Sequence, residues 1–254
     1  MGKQYLLPPI RQIRDLTIID LNNGESLVVA CDSAGAVGPK ELDEVKVSNY
    51  ILGRFIFRVA LIEVVASGAL PIVVTDALAV EMNPSGAEII AGIKDELKDL
   101  GMENQVQLTG STEENFVAKQ SGIGITVIGI GEKEKLRLVS AKPGDELLCL
   151  GLPKLGAEVE LTDPEIITTK IVLDLLTYPE IHEVVPVGSK GILYEARTLA
   201  KTNGMELELN PECTLPLEKS GGPSTCVLAA TAPGFKDQLT KSLPLPVNLI
   251  GKIK

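Results

Sequence analysis

The sequence predicts an α/β or α+β fold, and three observations carry that expectation. Short β-rich runs alternate with amphipathic helical stretches in both halves of the chain. Hydrophobic residues make up 44% but aromatic residues only 3%, with no Trp, so Val, Ile, Leu and Ala must fill the core. At 254 residues the chain suits one large domain or two modest ones.

Thr17 to Leu21 and Ser26 to Cys31 read as strands joined by an Asn22-Asn23-Gly24 hairpin turn. A loop rich in small residues follows from Asp32 to Lys40, and Asp43 to Val47 reads as a further strand. Ser48 opens a long helix to about Ser67, apolar on most of its circumference and therefore buried, with Gly68 placed to end it. Leu70 to Thr75 reads as a buried strand with Asp76 near its end. Ser85-Gly86-Ala87-Glu88 predicts a capping box for a helix presenting Ile89, Ile93 and Leu97, stopped by Gly101. Gln105 to Thr109 and Ile123 to Gly129 complete the strands of this half.

Residues 131–145 turn polar and charged and contain a Pro143-Gly144 turn, which sets an expected boundary between domains 1–137 and 138–254. Beyond it, Glu146 to Leu150 reads as a strand. Asp163-Pro164 reads as a helix start, and a further helix spans about Ser189 to Asn203, stopped by Gly204. Strands are expected near Met205 to Leu209 and Thr225 to Ala230. The Pro-rich tail after Leu243 is expected to be irregular.

A net charge of −10 without any basic stripe excludes a nucleic-acid partner, and the scarcity of aromatic residues removes stacking platforms. The most apolar stretch, Val59 to Val74, is interrupted by Glu63, Gly68 and Pro71, so no membrane span is expected. The start lacks a signal-peptide pattern. Cys31, Cys149 and Cys226 lie in apolar runs and Cys213 pairs with none of them by motif, so reduced thiols and a cytoplasmic location are expected. His182, the single histidine, has no nucleophile beside it and reads as surface or structural.

Acidic side chains are the candidates for chemistry. Asp32 ends a hydrophobic run at a glycine-bearing loop, where a carboxylate suits a Mg²⁺–phosphate site or simply starts a turn. Glu63 sits amid Leu61, Ile62, Val64 and Val65. At 100° per residue it points about 140° from Arg58 and about 180° from Arg54, so neither arginine neutralises it on its own helix. A buried carboxylate so placed requires a cation or a base from another element. Asp76 and Thr109-Gly110-Ser111-Thr112-Glu113 follow other strands, where ligands of α/β sheets gather. Asp32, Glu63, Asp76 and Glu113 together offer oxygen ligands for one or two Mg²⁺ ions.

These segments, in this order, resemble a known family. Arg58-Val-Ala-Leu-Ile-Glu63-Val-Val-Ala-Ser-Gly68-Ala-Leu-Pro71 is similar to the Asn-Asp-(apolar)₂-x-x-Gly-Ala-x-Pro segment of the aminoimidazole ribonucleotide synthetase superfamily, which includes thiamine monophosphate kinase and selenophosphate synthetase. Cys31-Asp32-Ser33-Ala34-Gly35, Pro71 to Asp76, Thr109 to Glu113 and Ala141 to Gly151 match further family segments over roughly residues 15–235. The resemblance implies a two-domain fold: an N-terminal ATP-binding domain, a smaller C-terminal α/β domain, and a homodimer. It implies ATP as co-substrate and Mg²⁺ held by Asp32, Glu63, Asp76 and Glu113, with phosphates near Gly35, Gly38, Lys40, Thr109, Gly110, Ser111 and Thr112. Asp32 and Lys190 would serve the transfer itself, and Ser189, Lys190, Gly191, Gly221 and Gly222 would hold the substrate.

The departures point to one branch. Glu63 stands where the family has Asp, and Ser111-Thr112 breaks the double glycine. Val187-Gly188-Ser189-Lys190-Gly191 lacks both aspartates of the thiamine monophosphate kinase motif Asp-x-Ser-Asp-Gly. The chain most resembles the α-ribazole kinases, which implies phosphorylation of the ribose 5′-hydroxyl of a small riboside in cobamide salvage. A thiamine monophosphate kinase-like enzyme, another ATP-activating synthetase or a non-catalytic nucleotide-binding relative are the alternatives.

Overall fold

The computed structural model describes residues 7–254. Strands β1 (Ile10–Ile13) and β2 (Leu16–Asp20) form a hairpin turned at Arg14 and Asp15, with Arg14 in the left-handed region at φ 54°. Then come β3 (Glu25–Gly35), helix α1 (Asn49–Ala66), β4 (Leu70–Leu78), α2 (Ala87–Asp99), β5 (Gln107–Thr112) and β6 (Gly122–Glu132). The strands build one sheet in the order β1-β2-β3-β6-β4-β5, antiparallel except for the β4–β5 pair.

The second half holds β7 (Glu146–Gly151), α3 (Thr169–Leu175), β8 (Ile181–Pro186), α4 (Gly191–Thr202), β9 (Leu207–Leu209), β10 (Cys226–Thr231), α5 (Lys236–Ser242) and β11 (Val247–Ile253). Its antiparallel sheet runs β8-β10-β7-β11-β9. The change of sheet falls between Glu132 and Glu146.

Helix α1 is the element both sheets share. The Ser48 hydroxyl caps it by accepting from the Ile51 N–H at 3.2 Å, and it stops at Ser67 before Gly68, φ 86°. One side packs on β3 and β6, another on α2, and another on α3 and β8. Its all-round apolarity is therefore spent on several neighbours. The α1–α2 crossing is close enough to require glycine on both sides. A Cβ on Gly53 would stand 2.2 Å from the Ile89 carbonyl oxygen, and one on Gly92 would stand 2.3 Å from that of Tyr50. Beside this crossing, Arg54 and Arg58 both donate to the buried Glu96, at 2.7 and 2.8 Å.

One apolar core runs from Leu16, Ile18 and Val28 through Phe57, Leu61 and Ile62 into Leu148, Val172, Val184 and Val227. A second lies between the other sheet and α4. The hairpin turn is tied across the halves by a buried ion pair: Arg14 donates to Glu183, which also accepts from the Ser140 and Ala141 N–H groups and the Asn203 amide. His182 is structural, its Nδ1 lying 2.8 Å from the buried Asp145 carboxylate.

Several sequence expectations are corrected. Asp43–Val47 is not a strand; only a Val37–Val45 bridge forms there, because Asp43 is occupied with backbone and Ser121 donors. The Ser85 capping box is absent, since the Ser85 hydroxyl donates to Glu81 instead. No helix starts at Pro164; α3 starts five residues later, capped by Thr168, while Asp163 pairs with Lys154. The tail after Leu243 is ordered as β11, which sits between β7 and β9, its two prolines lying just before the strand. Cys31 is exposed on β3, whereas Cys149 and Cys226 are buried.

Candidate functional site

Along β3, Val28, Ala30 and Asp32 alternate onto the face that carries α1. Asp32 lies directly opposite Ile125 of β6, and Asp76 of β4 lies opposite the same Ile125 from the other side. Residues in register point to one face, so both aspartates look toward the helix layer, two strand spacings or about 9–10 Å apart at their backbones. Asp76 is inside β4 and buried at 3% exposure, not at the strand end. Gly110 of β5 pairs beside it, and a Cβ there would stand 2.1 Å from an Asp76 carboxylate oxygen. Glycine at 110 makes room for that carboxylate.

Helix α1 supplies the third acid. Ile51, Phe55, Val59 and Glu63 recur every four residues and form one stripe lining a cleft of about 470 Å³. Asp32 and Gly35 line it from β3, and Val37, Val45 and Val47 from the segment after β3. The second half contributes Leu155, Val159, Gly188, Ser189, Ser220 and Gly222. The cleft is thus apolar along the helix, with Asp32, Glu63 and serine hydroxyls as its polar groups.

The three acids are unpaired by protein cations among the described residues. Burial raises the Asp32 carboxyl above its ordinary range, partly countered by the Ser33 N–H. Burial likewise raises Asp76. Glu63 is half-buried where it lines the cleft, and burial pushes its carboxyl up to about 8. Arg14 opposes that rise, and Asp15, Glu195 and Asp32 add to it. Arg54 and Arg58 are held away by Glu96. Carboxylates left uncompensated in this way are a common feature of functional sites.

Other sequence candidates are placed differently. Lys40 is ion-paired with Glu81 at 2.8 Å, and the Gly38 N–H is donated to the Val45 carbonyl. Thr109, Gly110, Ser111 and Thr112 form the edge strand β5, not a loop. Glu113 is half-buried and accepts from the N–H groups of Asn115 and Phe116, which lowers its carboxyl. Lys190 is exposed, its ammonium 4.3 Å from the Tyr194 ring centroid. Gly191 and Gly221 pack against backbone of residues 218–219 and 187, while Ser189 and Gly222 reach the cleft. Asp32, Glu63, Asp76 and Glu113 do not gather into one cage: among the described residues no group of three or more His, Cys, Asp or Glu could hold a metal ion. The donor set still fits Mg²⁺, which takes one or two carboxylates and completes its shell with phosphate oxygens and water.

Sequence reasoning missed the Ile51–Phe55–Val59 stripe, because α1 is apolar on nearly every side and no single stripe stands out. It also missed Glu195 of α4. Its carboxyl is raised to about 7 by burial and by Asp15, and lies 3.8 Å from where a Gly188 Cβ would stand.

Residues 14–131 match the family model described as AIR synthase related protein, N-terminal domain. Over nearly the whole chain the fold is shared with solved structures. The thiamine-monophosphate kinase from Stenotrophomonas maltophilia K279a is 18% identical and superposes with a TM-score of 0.65 over 96% of this chain and 88% of its own. Thiamine monophosphate kinase from Aquifex aeolicus is 17% identical, with a TM-score of 0.66 over 96% of this chain and 89% of that one. T. maritima PurL complexed with ATP is 16% identical at a TM-score of 0.66, over 93% of this chain but only 41% of PurL. No curated protein sequence matches the chain. Among the described residues no helix is long and apolar enough to cross a membrane.

Proposed function

We propose that this chain binds ATP with Mg²⁺ and phosphorylates the ribose 5′-hydroxyl of a small riboside, α-ribazole being the leading acceptor. The observation that carries the reading is the set of three unpaired, desolvated carboxylates, Asp32, Glu63 and Asp76, on one side of the first sheet, two of them in a cleft of about 470 Å³. The fold adds support, since a neighbour is described as complexed with ATP. In this reading residues 1–137 form the nucleotide-binding domain and 138–254 the substrate-binding domain.

Asp32 and Glu63 in the cleft, and Asp76 two strands from Asp32, would hold Mg²⁺ by one or two carboxylates per ion, and the metal would supply positive charge to offset that of the phosphates. The chain's own contribution is then positioning and electrostatic stabilisation. The Ile51–Val59 stripe and the three valines facing it exclude water from a flat apolar group. The Ser189 hydroxyl offers hydrogen bonds to a hydroxylated sugar, and Gly222, its N–H donated to Ser220 Oγ at 3.0 Å, shapes the wall beside it. Lys40 reaches phosphate by exchanging its Glu81 partner, and Lys190 approaches from the α4 end. A thiamine monophosphate acceptor is the second reading, favoured by the two kinase neighbours and by a third solved structure, described as AaThiL complexed with AMPPCP and TMP.

Measuring ATP consumption with α-ribazole, thiamine monophosphate and formylglycinamidine ribonucleotide separates these acceptors. No turnover of α-ribazole where ATP binds removes the leading proposal. ATP binding without transfer to any of them leaves a nucleotide-binding protein that is not a kinase.

The same reading includes a homodimer. Ile19, Leu27, Val29, Ile128 and Ile130 lie half-buried, and Cys31 exposed, on the face of the first sheet opposite α1. A second copy would cover this apolar face. Sedimentation at micromolar concentration should return about 54 kDa, twice the chain mass of 27.0 kDa. A sedimenting monomer overturns the dimer.

A further inference from the structure

One wall of the cleft is not part of any helix or sheet. Val37, Val45 and Val47 face the cleft from segment 36–47, which lacks regular structure apart from the Val37–Val45 bridge. Its internal backbone bonds link its two arms to each other, not to α1: Gly38 N–H to the Val45 carbonyl at 2.9 Å, Glu44 and Val45 N–H to the Ala36 carbonyl at 2.8 and 3.2 Å, Val47 N–H to the Gly38 carbonyl at 3.4 Å and Asp43 N–H to the Lys40 carbonyl at 3.1 Å. Such a segment needs an anchor to stand at a fixed distance from α1.

Ala36 N–H donates to the Ser121 carbonyl at 3.0 Å, Leu42 N–H to the Lys119 carbonyl at 2.9 Å and the Gln120 amide to the Leu42 carbonyl at 2.7 Å; the buried anchor beside these bonds is a carboxylate. Asp43 is 5% exposed. Its Oδ2 accepts from the Lys40 N–H and from the Ser121 hydroxyl, both at 2.8 Å, and its Oδ1 accepts from the Ser121 N–H at 2.7 Å. Ionised acceptors form the shorter and stronger hydrogen bonds of this kind. Ser121 directly precedes Gly122, the first residue of β6, which pairs with Gly35 at the end of β3. The carboxylate therefore fastens the wall to the sheet end that carries Asp32, three residues before Gly35. The fit is tight: a Cβ on Gly38 would stand 2.5 Å from Ser121 Oγ and 2.7 Å from Asp43 Oδ2. Glycine at 38, at φ 147°, is what lets the chain pass.

We propose that Asp43 is a positioning residue that holds the valine wall at a set width from the Ile51–Phe55–Val59 stripe and thereby determines how tightly the cleft grips the flat, apolar part of its ligand. The proposal rests on the reading that the ligand binds in this cleft. Asp43 touches neither ligand nor metal in this account; it acts through Val37, Val45 and Val47.

Asp43→Ala removes all three bonds, Asp43→Asn keeps the shape but turns one acceptor oxygen into a donor, and Ser121→Ala removes one bond only. Amide hydrogen exchange of residues 36–47 should accelerate at least tenfold in Asp43→Ala, less in Asp43→Asn and least in Ser121→Ala, with β7 and β10 unchanged. Calorimetric titration with α-ribazole and, separately, with AMPPCP plus Mg²⁺ should give dissociation constants raised in the same order, about tenfold for Asp43→Ala. A purely structural role would lower melting temperature without this ranked loss of affinity. Unchanged exchange, or faster exchange with unchanged affinity, overturns the proposal. Should Asp43→Ala fail to fold, the ranking of the other two variants decides. If the wild-type chain binds neither ligand, the kinase reading falls, and unchanged exchange in the variants then overturns the anchor by itself.

Discussion

Replacing Glu63 by Gln tests whether the cleft is built for a cation. In the unfolded chain this carboxyl has its ordinary value of 4.5, and in the folded protein it is pushed up to about 8, chiefly by burial. The folded pKa is the higher one, so the stability linked to this group is fully present below pH 4.5 and is lost as pH rises through 8. A shift of that size corresponds to about 5 kcal/mol at full weight, at 1.36 kcal/mol per pH unit. Water entering through the cleft brings the expected cost to about 2–3 kcal/mol. Gln copies the neutral form and escapes it. At pH 8.5 without metal, Glu63→Gln should melt about 5–10 °C above wild type, at 2–4 °C per kcal/mol for a chain of this size. At pH 5 the two should melt together. Added Mg²⁺ and nucleotide should raise the wild-type melting temperature and leave the variant nearly unmoved. Calorimetry at the two pH values, with and without ligand, measures all of this. A variant that loses the same stability at both pH values would refute the reasoning, because Glu63 would then be held by a partner that favours its charge.

Gly110→Ala drives a methyl group into the Asp76 carboxylate, 2.1 Å from the new carbon, and should weaken Mg²⁺-dependent nucleotide binding at least tenfold by titration while costing about 1–3 kcal/mol of stability. Arg14→Ala strips the buried Glu183 of its only ion-pair partner among the described residues and should destabilise by about 3–5 kcal/mol, read as a lower urea midpoint with an unchanged slope. Lys40→Ala breaks a partly exposed pair and should cost less than about 1 kcal/mol at neutral pH. Burial tends to raise Glu81, but Lys40 and Ser85 hold its carboxyl down to about 2, so the stability of that pair is present above pH 4.5 and lost as pH falls toward 2. Nucleotide affinity in Lys40→Ala should fall several-fold, and an unchanged dissociation constant would strike Lys40 from the phosphate set.

Much of the scaffold is legible in the residues taken in order. The Ser48 cap and Gly68 stop bracket α1, Gly101 and Gly204 follow α2 and α4, and alternation marks β2 and β3, because these signals act within a few residues of where they stand. The composition excludes aromatic stacking and basic stripes without reference to any contact. The departure of Glu63 from its helix's own arginines also follows from angles alone, and the fold adds where those arginines go, to Glu96 on α2.

Most of what the sequence could not reveal depends on partners distant along the chain. Pro246 reads as the end of regular structure, yet β11 forms beside β7 because a sheet edge is waiting for it. Lys40 and Glu113 look free in the sequence and are engaged in the fold, one by Glu81 and the other by its own turn. The common face of Asp32 and Asp76 depends on both strands taking Ile125 as their register mate, and a slip of one residue would send either side chain to the far side. Residue type and local spacing determine which groups are able to bind an anion or a cation. Only tertiary packing decides which remain unpaired, since the ion pairs that engage Lys40, Arg54 and Arg58 close across the fold.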